Sequence, residues 1–413
     1  MNTKELRQHF PSVSASPKCR YLDNAATACM PACVRTAIHD FYGSLHGSVH
    51  RGVYESAEHT TSAYEHVRAQ TADFVGATSA DEIIFTSGAT DSLNMVAHTW
   101  AYHNLTYGDA IVITAAEHHS NYVLWQEVAR RTGAQLRTLP INPQTFTVDL
   151  SLLPTVLDDR VKLVALTVDS NVLGPIWGAN DEILHDVLAF AQKNNVCTVL
   201  DVAQRVAHAP LQLGNSVDFA AFSAHKMGGP TGLGVLYANK RRHEQMRPHR
   251  LGGGMVHSVS EESYVPQQPP HCFEAGTPPL AQVIGFGALL NFYTKHVDWA
   301  ALKQHEAALS AQLTAGLKDM GGVTVVGNAD LLAAEGHLVS WYVEDMHGHD
   351  LAAALSLHGC MVRAGDHCAQ PLSRLWDNRA TVRASFMMYN TAEEVAHLVK
   401  SMRAVLADWR GTK

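Results

Sequence analysis

Several short stretches of this chain carry residues whose types suit group-transfer chemistry. Lys226 stands between His225 and the stretch Met227 to Gly234, where glycines let backbone or ligand approach closely. A lysine so placed can form a Schiff base if its amine is neutral, which demands a depressed pKa; read alone it is equally an exposed loop lysine. Asp201 directly follows Cys197-Thr198-Val199-Leu200. A carboxylate at a buried strand end needs a partner, and a protonated pyridine nitrogen, a helix cap or a structural ion pair would each serve. Gly88-Ala89-Thr90 opens a helix, and free N–H groups at a positive dipole end suit a phosphate, although a plain strand–helix turn has the same composition. Ser223 and His225 add phosphate donors. The adjacent pair His118-His119 offers a flat imidazole to stack on a flat ring, or is a polar loop pair. In Arg363-Ala364-Gly365-Asp366-His367-Cys368 a thiol lies beside a histidine and near an arginine. Such surroundings can produce a thiolate; the alternative is an inert core cysteine, as the apolar setting of Cys360 suggests for that residue. Arg383 is a charge inside a β-rich run, and such an arginine usually has a carboxylate partner in the protein or in a substrate.

These residues need a scaffold that brings them together. Glu82 to Thr86, Ala110 to Ile113, Lys162 to Thr167, Cys197 to Leu200, Asp218 to Phe222 and Gly234 to Tyr237 read as strands. Several are continuously apolar, as expected of strands covered on both faces. Asp91 to Tyr102 reads as a helix between the first two. Strand–helix alternation of this length predicts an α/β fold with a doubly wound, mostly parallel sheet. In open sheets of this kind, ligands sit beyond the carboxyl ends of the strands. Four of the chemical stretches fall there: Thr86 to Thr90, Asp169-Ser170-Asn171, Asp201 to Gln204 and Ser223 to Lys226. Their convergence outweighs any one of them. Five prolines between Val256 and Pro279 predict a long loop. Beyond it the order changes: a helix at Gly285 to His296, another near Ala301 to Met320, strands at Leu338 to Val343, Met361 to Arg363 and Thr381 to Ser385, and a helix at Asp350 to His358. Thr391-Ala392-Glu393-Glu394 is a capping-box pattern opening a last helix. We expect a large domain over 21–291 and a smaller α+β domain, made of 1–20 and 292–413, that carries the cysteine.

Composition narrows the function classes. The 413 residues are 46% hydrophobic and 17% charged with a net charge of −8, ordinary for a globular chain and without the basic stripe of a nucleic-acid binder. The short runs Lys240 to Arg242 and Arg247 to Arg250 are expected to be solvated surface. No apolar run approaches the roughly 20 residues of a membrane span, and the polar start, Met1 to Phe10, lacks the core of a signal peptide. Seven scattered cysteines argue against a disulfide framework. Without a CxxC pair or HExxH there is no sign of structural zinc. A reducing cytoplasm follows.

Together the residues resemble the pyridoxal-phosphate (PLP) enzymes of fold type I in the class V aminotransferase group, and within it the group II, SufS-like cysteine desulfurases. The likeness runs over nearly the whole chain. It includes Tyr21 to Thr27, Val49-His50-Arg51-Gly52, Glu117 to Asn121, Ser170 to Gly174, Phe273 to Pro278, Arg383-Ala384-Ser385 and Met388 to Thr391. The resemblance implies that Lys226 carries PLP covalently and shuttles a proton, while Asp201 holds the pyridinium proton and keeps the ring an electron sink. Gln204 bonds the ring hydroxyl and His118 stacks on the ring. Ala89 through its backbone, Thr90, Ser223 and His225 hold the phosphate, and Thr277 reaches the phosphate of the partner subunit in a homodimer with shared sites. Asn171 and Arg383 grip the substrate carboxylate, with Arg363 and His50 also at the substrate. The implied reaction converts L-cysteine to L-alanine, leaves a persulfide on Cys368 and passes the sulfur to a small acceptor protein, with iron–sulfur cluster assembly as the family expectation. A selenocysteine lyase, a cysteine-sulfinate desulfinase and a non-catalytic sulfur-relay partner are alternatives on the same fold. The chain departs from the branch at Asp366, where His is usual, and at Ala364, Tyr54, Val202, Val168 and Asp169. A carboxylate two residues from the thiol is expected to slow its attack.

Overall fold

The computed structural model describes residues 3–15, 18–45, 47–50, 52–214 and 216–411; Arg51 of the Val49–Gly52 run lies outside them. Seven strands form the large sheet: β1 (Ile83–Thr86), β2 (Ala110–Thr114), β3 (Gln135–Leu139), β4 (Val161–Thr167), β5 (Cys197–Asp201), β6 (Phe219–Ser223) and β7 (Gly234–Ala238). Their spatial order is β1-β7-β6-β5-β4-β2-β3. β7 runs antiparallel to both neighbours, and every other pair is parallel. The continuous apolar runs have a direct cause. Ile83, Phe85, Val164, Ala220, Phe222 and Val235 point into one core, and Ile84, Leu163, Ala165, Phe219, Ala221 and Leu236 point into a second. Alternate residues thus feed two cores on opposite faces, so no position in these strands can be polar without a partner.

Close approach at one edge of the future site depends on a glycine. Gly234 pairs with Thr86 on one side and Ser223 on the other, and a Cβ there would lie 2.4 Å from the Gly88 Cα. Gly234→Ala must push the Gly88 turn away. We expect a loss of about 2 kcal/mol in a denaturant melt, together with weaker cofactor retention after dialysis.

The second sheet is antiparallel: β8 (Val323–Val326), β9 (Leu338–Val343), β10 (Arg363–Gly365) and β11 (Thr381–Ser385), in the order β8-β9-β11-β10. Helices Trp299–Lys318, Gly348–Leu357 and Ala392–Gly411 cover it around a third core that includes Leu309, Trp341, Val382 and Leu398. The capping box is present: Glu394 N donates to Thr391 Oγ1 at 3.3 Å, and Thr391 N donates to Glu394 Oε2 at 3.1 Å. Arg20–Tyr21 pairs in parallel with Cys360–Met361, tying the N-terminal segment to this unit. Leu6, Phe10 and Val13, however, pack into the first core of the large sheet, and helix Leu280–His296 runs through the expected boundary at 291.

Two expectations are corrected. The segment from Val256 to Pro279 is not irregular throughout: Val256–Val259 and Tyr264–Pro266 form an antiparallel hairpin, because Pro266 occupies a strand end, where its missing N–H is tolerated. The basic run at 240–242 is not simply solvated. Arg242 is buried and donates to Asp218 at 2.8 Å, where Arg241 also donates at 2.6 Å. The buried Asp218 carboxylate needs this positive charge, and burial working to raise its carboxyl is outweighed by the two arginines, which hold it below its usual range.

Candidate active site

Beyond the carboxyl ends of β1, β4, β5 and β6, and facing the small sheet, lies a cavity of about 280 Å³. It is lined by Ala89, Thr90, His118, Asn171, Asp201, Gln204, Ser223, His225 and Lys226 from the large sheet, and by Arg363, Cys368 and Arg383 from the small unit. Twelve of the fourteen residues singled out from the sequence are therefore in one place.

The phosphate end is built first. Helix α1 (Ala89–Val96) starts after Gly88. Ala89 N–H donates to Ser223 Oγ at 2.8 Å, and Thr90 Oγ1 lies 2.7 Å from Ser120 Oγ. His225 Nδ1 lies 3.2 Å from Thr27 Oγ1. A helix N-terminus, the hydroxyls of Thr90, Ser120 and Ser223 and the His225 imidazole thus converge as an anion cradle. At the ring end, helix α2 (His119–Thr132) is capped by His118, whose Nδ1 accepts the Ser120 N–H at 3.1 Å. The remaining imidazole proton must then sit on Nε2. Burial, aided by Lys226, holds His118 down at about 4, so a neutral, flat ring faces the cavity.

Asp201 and Lys226 form the centre. Asp201 ends β5, is buried and accepts the Ala203 N–H at 2.9 Å. Burial raises its carboxyl, with the charge of Lys226 pulling the other way. Lys226 follows β6 in a tight turn closed by Gly228 at φ 94°. Burial lowers its ammonium, against the opposing pull of Asp201. An amine pushed toward neutrality beside a buried carboxylate is what covalent attachment to a carbonyl requires. Gln204 Nε2 donates to Ala25 O at 3.0 Å, which fixes that amide at the cavity wall.

The substrate end straddles the two units. β10 and β11 place Arg363 directly opposite Arg383, an arrangement that like charges oppose. Asp23 neutralises it: Arg383 Nη2 and Arg363 Nε each donate to its carboxylate at 3.2 Å. Arg383 is only 2% exposed. Burial lowers it to about 10, with Asp23 opposing. Its Nη1 donates to Asn171 O at 2.7 Å, while Asn171 Nδ2 donates to His367 O at 2.5 Å. Among the described residues, three buried atoms in this corner have no partner: Arg383 Nε, Asn171 Oδ1 and His367 Nδ1. Such orphans are rare, and the free Arg383 N–H is suited to a carboxylate.

Cys368 is exposed at the cavity mouth. Its loop is held from both sides of the fold. His367 and Cys368 take positive φ values of 49° and 58°, sparsely populated for such residues. His119 N–H donates to Cys368 O at 2.7 Å and Gln370 N–H to His119 Nε2 at 3.2 Å. The Asp366 carboxylate accepts Gln370 Nε2 at 3.1 Å. The second histidine of the 118–119 pair is thus the clamp for the cysteine loop.

Two of the residues lie elsewhere in this chain. Thr277 is exposed in a separate recess with Ser87 and Arg250, and His50 faces Glu65 and His271. Sequence reasoning missed Asp23, Ser120 and the buried Glu117. Glu117 accepts from Thr114 Oγ1 at 2.6 Å, Asn121 Nδ2 at 2.7 Å and Thr167 N at 3.0 Å, anchoring the His118 loop to β4. All three lie in runs quoted for the resemblance, but only their contacts reveal a role.

The site and fold define a PLP-type α/β enzyme, and the comparisons agree. The family model for aminotransferase class-V matches residues 20–398, so the chain belongs to that family and has fold type I. It is 41% identical to "Probable cysteine desulfurase 2" of Mycobacterium leprae, covering 98% of this chain and 97% of that one. It is 36% identical to "Cysteine desulfurase" of Klebsiella pneumoniae over 98% of each. Among solved structures, it superposes on the Escherichia coli cysteine desulfurase CsdA, in its S-sulfonic acid form, with a TM-score of 0.89, 36% identity and 98% coverage of both chains.

Proposed function

We propose that this protein is a PLP-dependent cysteine desulfurase of the group II branch. It converts L-cysteine to L-alanine, leaves the sulfur as a persulfide on Cys368 and passes it to an acceptor protein. One observation carries the proposal: a single cavity holds Lys226, Asp201, His118 and Arg383 and opens on Cys368. The cavity fits the cofactor. The cradle of Ala89, Thr90, Ser223 and His225 suits its phosphate, His118 its ring face, Asp201 its ring nitrogen and Lys226 its carbonyl carbon. When bound, PLP supplies an electron sink for the substrate's α-carbon.

The chain's own groups do the rest. Arg383, with Asn171, orients the substrate carboxylate, which fixes the amino acid's other substituents relative to Lys226. Lys226, as a neutral amine, takes a proton from the α-carbon and returns one. The Cys368 sulfur attacks the substrate sulfur; the S–S bond forms as the C–S bond breaks, and the bonding pair stays with the carbon skeleton that leaves as alanine. Cysteine plus the enzyme thiol thus becomes alanine plus the enzyme persulfide, with no outside oxidant. The exposure of Cys368 leaves the persulfide within reach of a protein acceptor. The resemblance supports a homodimer in which Thr277 completes the partner's phosphate site, and the scattered, unpaired cysteines support a reducing, cytoplasmic setting.

Purified protein given L-cysteine and a thiol reductant should release alanine and sulfide in equal amounts. Pyruvate with ammonia, or a keto acid from transamination, would overturn the assignment. Arg383→Lys should raise KM for L-cysteine by about 100-fold, the equivalent of roughly 3 kcal/mol and the upper end for a lost hydrogen bond to a charged group, with a smaller change in kcat.

A further inference from the structure

Outside the active site, one side-chain cluster has the composition of a metal centre. His50, Glu65 and His271 each offer a ligand atom, and these atoms lie within 4.8 Å of one another; among the described residues no other group of three or more histidines, cysteines or carboxylates does so. His50 Nε2 is already 3.0 Å from Glu65 Oε1. The His50 and His271 rings are 5.1 Å apart at 70°, edge to face, so small side-chain rotations can aim a nitrogen from each at one point. Tetrahedral zinc at about 2 Å from each ligand needs ligand atoms roughly 3.3 Å apart. The local charge favours a cation. Among the described residues Arg68 is the nearby guanidinium, and it donates to two carboxylates: to Glu274 through Nη1 at 2.7 Å and Nη2 at 2.8 Å, and to Glu65 Oε2 through Nε at 2.8 Å. Two carboxylates against one guanidinium leave one negative charge, and Glu65 Oε1 lies closer to His50 Nε2, at 3.0 Å, than to Arg68 Nη2, which reaches it only at 3.5 Å. The His50 and Glu65 side chains are 36% and 35% exposed, so a cation can enter and water can complete its shell.

We propose that His50, Glu65 and His271 form a binding site for a divalent cation of the zinc type. Two imidazoles and one carboxylate with an open position suit zinc or cobalt and disfavour magnesium or calcium, which want oxygen ligands. The ligands come from the loop before a long helix, from the second turn-pair of that helix (Glu55–Val75) and from the turn His271–Phe273. A spacing of more than 200 residues between Glu65 and His271 hides such a site from any sequence motif. The site is independent of the desulfurase reading and stands or falls without it.

The test is equilibrium dialysis and calorimetry of the full-length, cofactor-loaded protein against Zn²⁺, with Co²⁺ as a coloured probe. The Cys368→Ala variant removes the exposed active-site thiol as a competing ligand. One Zn²⁺ per chain should bind Cys368→Ala, and the Co²⁺ complex should show visible ligand-field bands without thiolate charge-transfer absorption. Adding His271→Asn should weaken binding by about 100-fold, the upper range for disturbing a metal's ligand set, at unchanged melting temperature. Adding Glu65→Gln should do the same, and Mg²⁺ should not compete. Loss of all binding in Cys368→Ala, or equal affinity with and without His271, would overturn the proposal.

Discussion

Lys226→Ala should lose the visible absorption of covalently held cofactor and lower turnover of L-cysteine by at least about 10⁴-fold, because one side chain supplies both the attachment and the proton transfer. The structure explains why no neighbour can substitute. Lys226 is the lysine lining the cavity, and burial lowers its ammonium toward the neutral form that bonds to a carbonyl. His118, the nearest alternative base on the ring side, has its Nδ1 committed to the Ser120 N–H at 3.1 Å and is held at about 4. His225 is likewise lowered by burial and by the Lys226 charge. With the lysine removed, Asp201 keeps its carboxylate and the cradle keeps its donors, so cofactor should still bind, reversibly and without the covalent spectrum. The measurement is therefore a pair: absorption after dialysis, and alanine formed per minute. A variant retaining more than about 1% of parental turnover would place the base elsewhere, since lost general-base catalysis alone accounts for about 10²-fold or more.

Which parts were legible in the sequence follows from the range of the interactions. Asp201, Lys226, His225 and Ala89 could be found because each sits within a few residues of a strand end, and the sheet itself was visible in its apolar runs. The same local logic read the Thr391–Glu394 cap correctly. What escaped was set by distant pairing. Asp23 neutralises Arg363 and Arg383, which lie 340 and 360 residues away, and nothing in the first run of residues signals that it will be pinned beside β11 through Ser385. Arg242 looked like solvated charge because the carboxylate it clamps, Asp218, sits 24 residues earlier at the start of β6. The edge strand β3, Gln-Leu-Arg-Thr-Leu, went unread because it is polar and half-exposed. The hairpin at 256–266 is hidden in the sequence because Pro266 and the four prolines beyond it read as breakers, whereas at an exposed strand end Pro266 removes no needed hydrogen bond. His50 and Thr277 were quoted for the resemblance, yet neither reaches this chain's own cavity. For Thr277 this agrees with the homodimer proposed above, in which it serves the partner's phosphate site.

Cys368→Ala should keep the bound cofactor and its spectrum while lowering sulfide and alanine release by about 10³-fold or more, the scale expected when the nucleophile of a covalent step is removed. The separation of the two effects comes from the architecture. The cofactor-binding groups hang from the large sheet, whereas Cys368 arrives on a loop of the small unit. That loop is anchored by main-chain atoms: His119 N–H to Cys368 O at 2.7 Å, Ala369 N–H to Asp366 O at 2.9 Å, and Asn171 Nδ2 to His367 O at 2.5 Å. Alanine preserves every one of these bonds, so the loop should stay in place and Arg383 should still hold substrate, with binding of L-cysteine within about threefold of the parent by the usual size of a surface truncation. The loop's positive φ at His367 and Cys368 shows that it is held in an uncommon conformation by these anchors, so cutting one should mimic the loss of the thiol in part. Asn171→Ala removes the His367 clamp and the side chain beside Arg383 together, and should lower kcat while raising KM. Cys368→Ala should change kcat alone. If Cys368→Ala instead released cofactor or raised KM to the same degree, the thiol would be a structural member of the site, and the sulfur-accepting atom would have to be sought elsewhere.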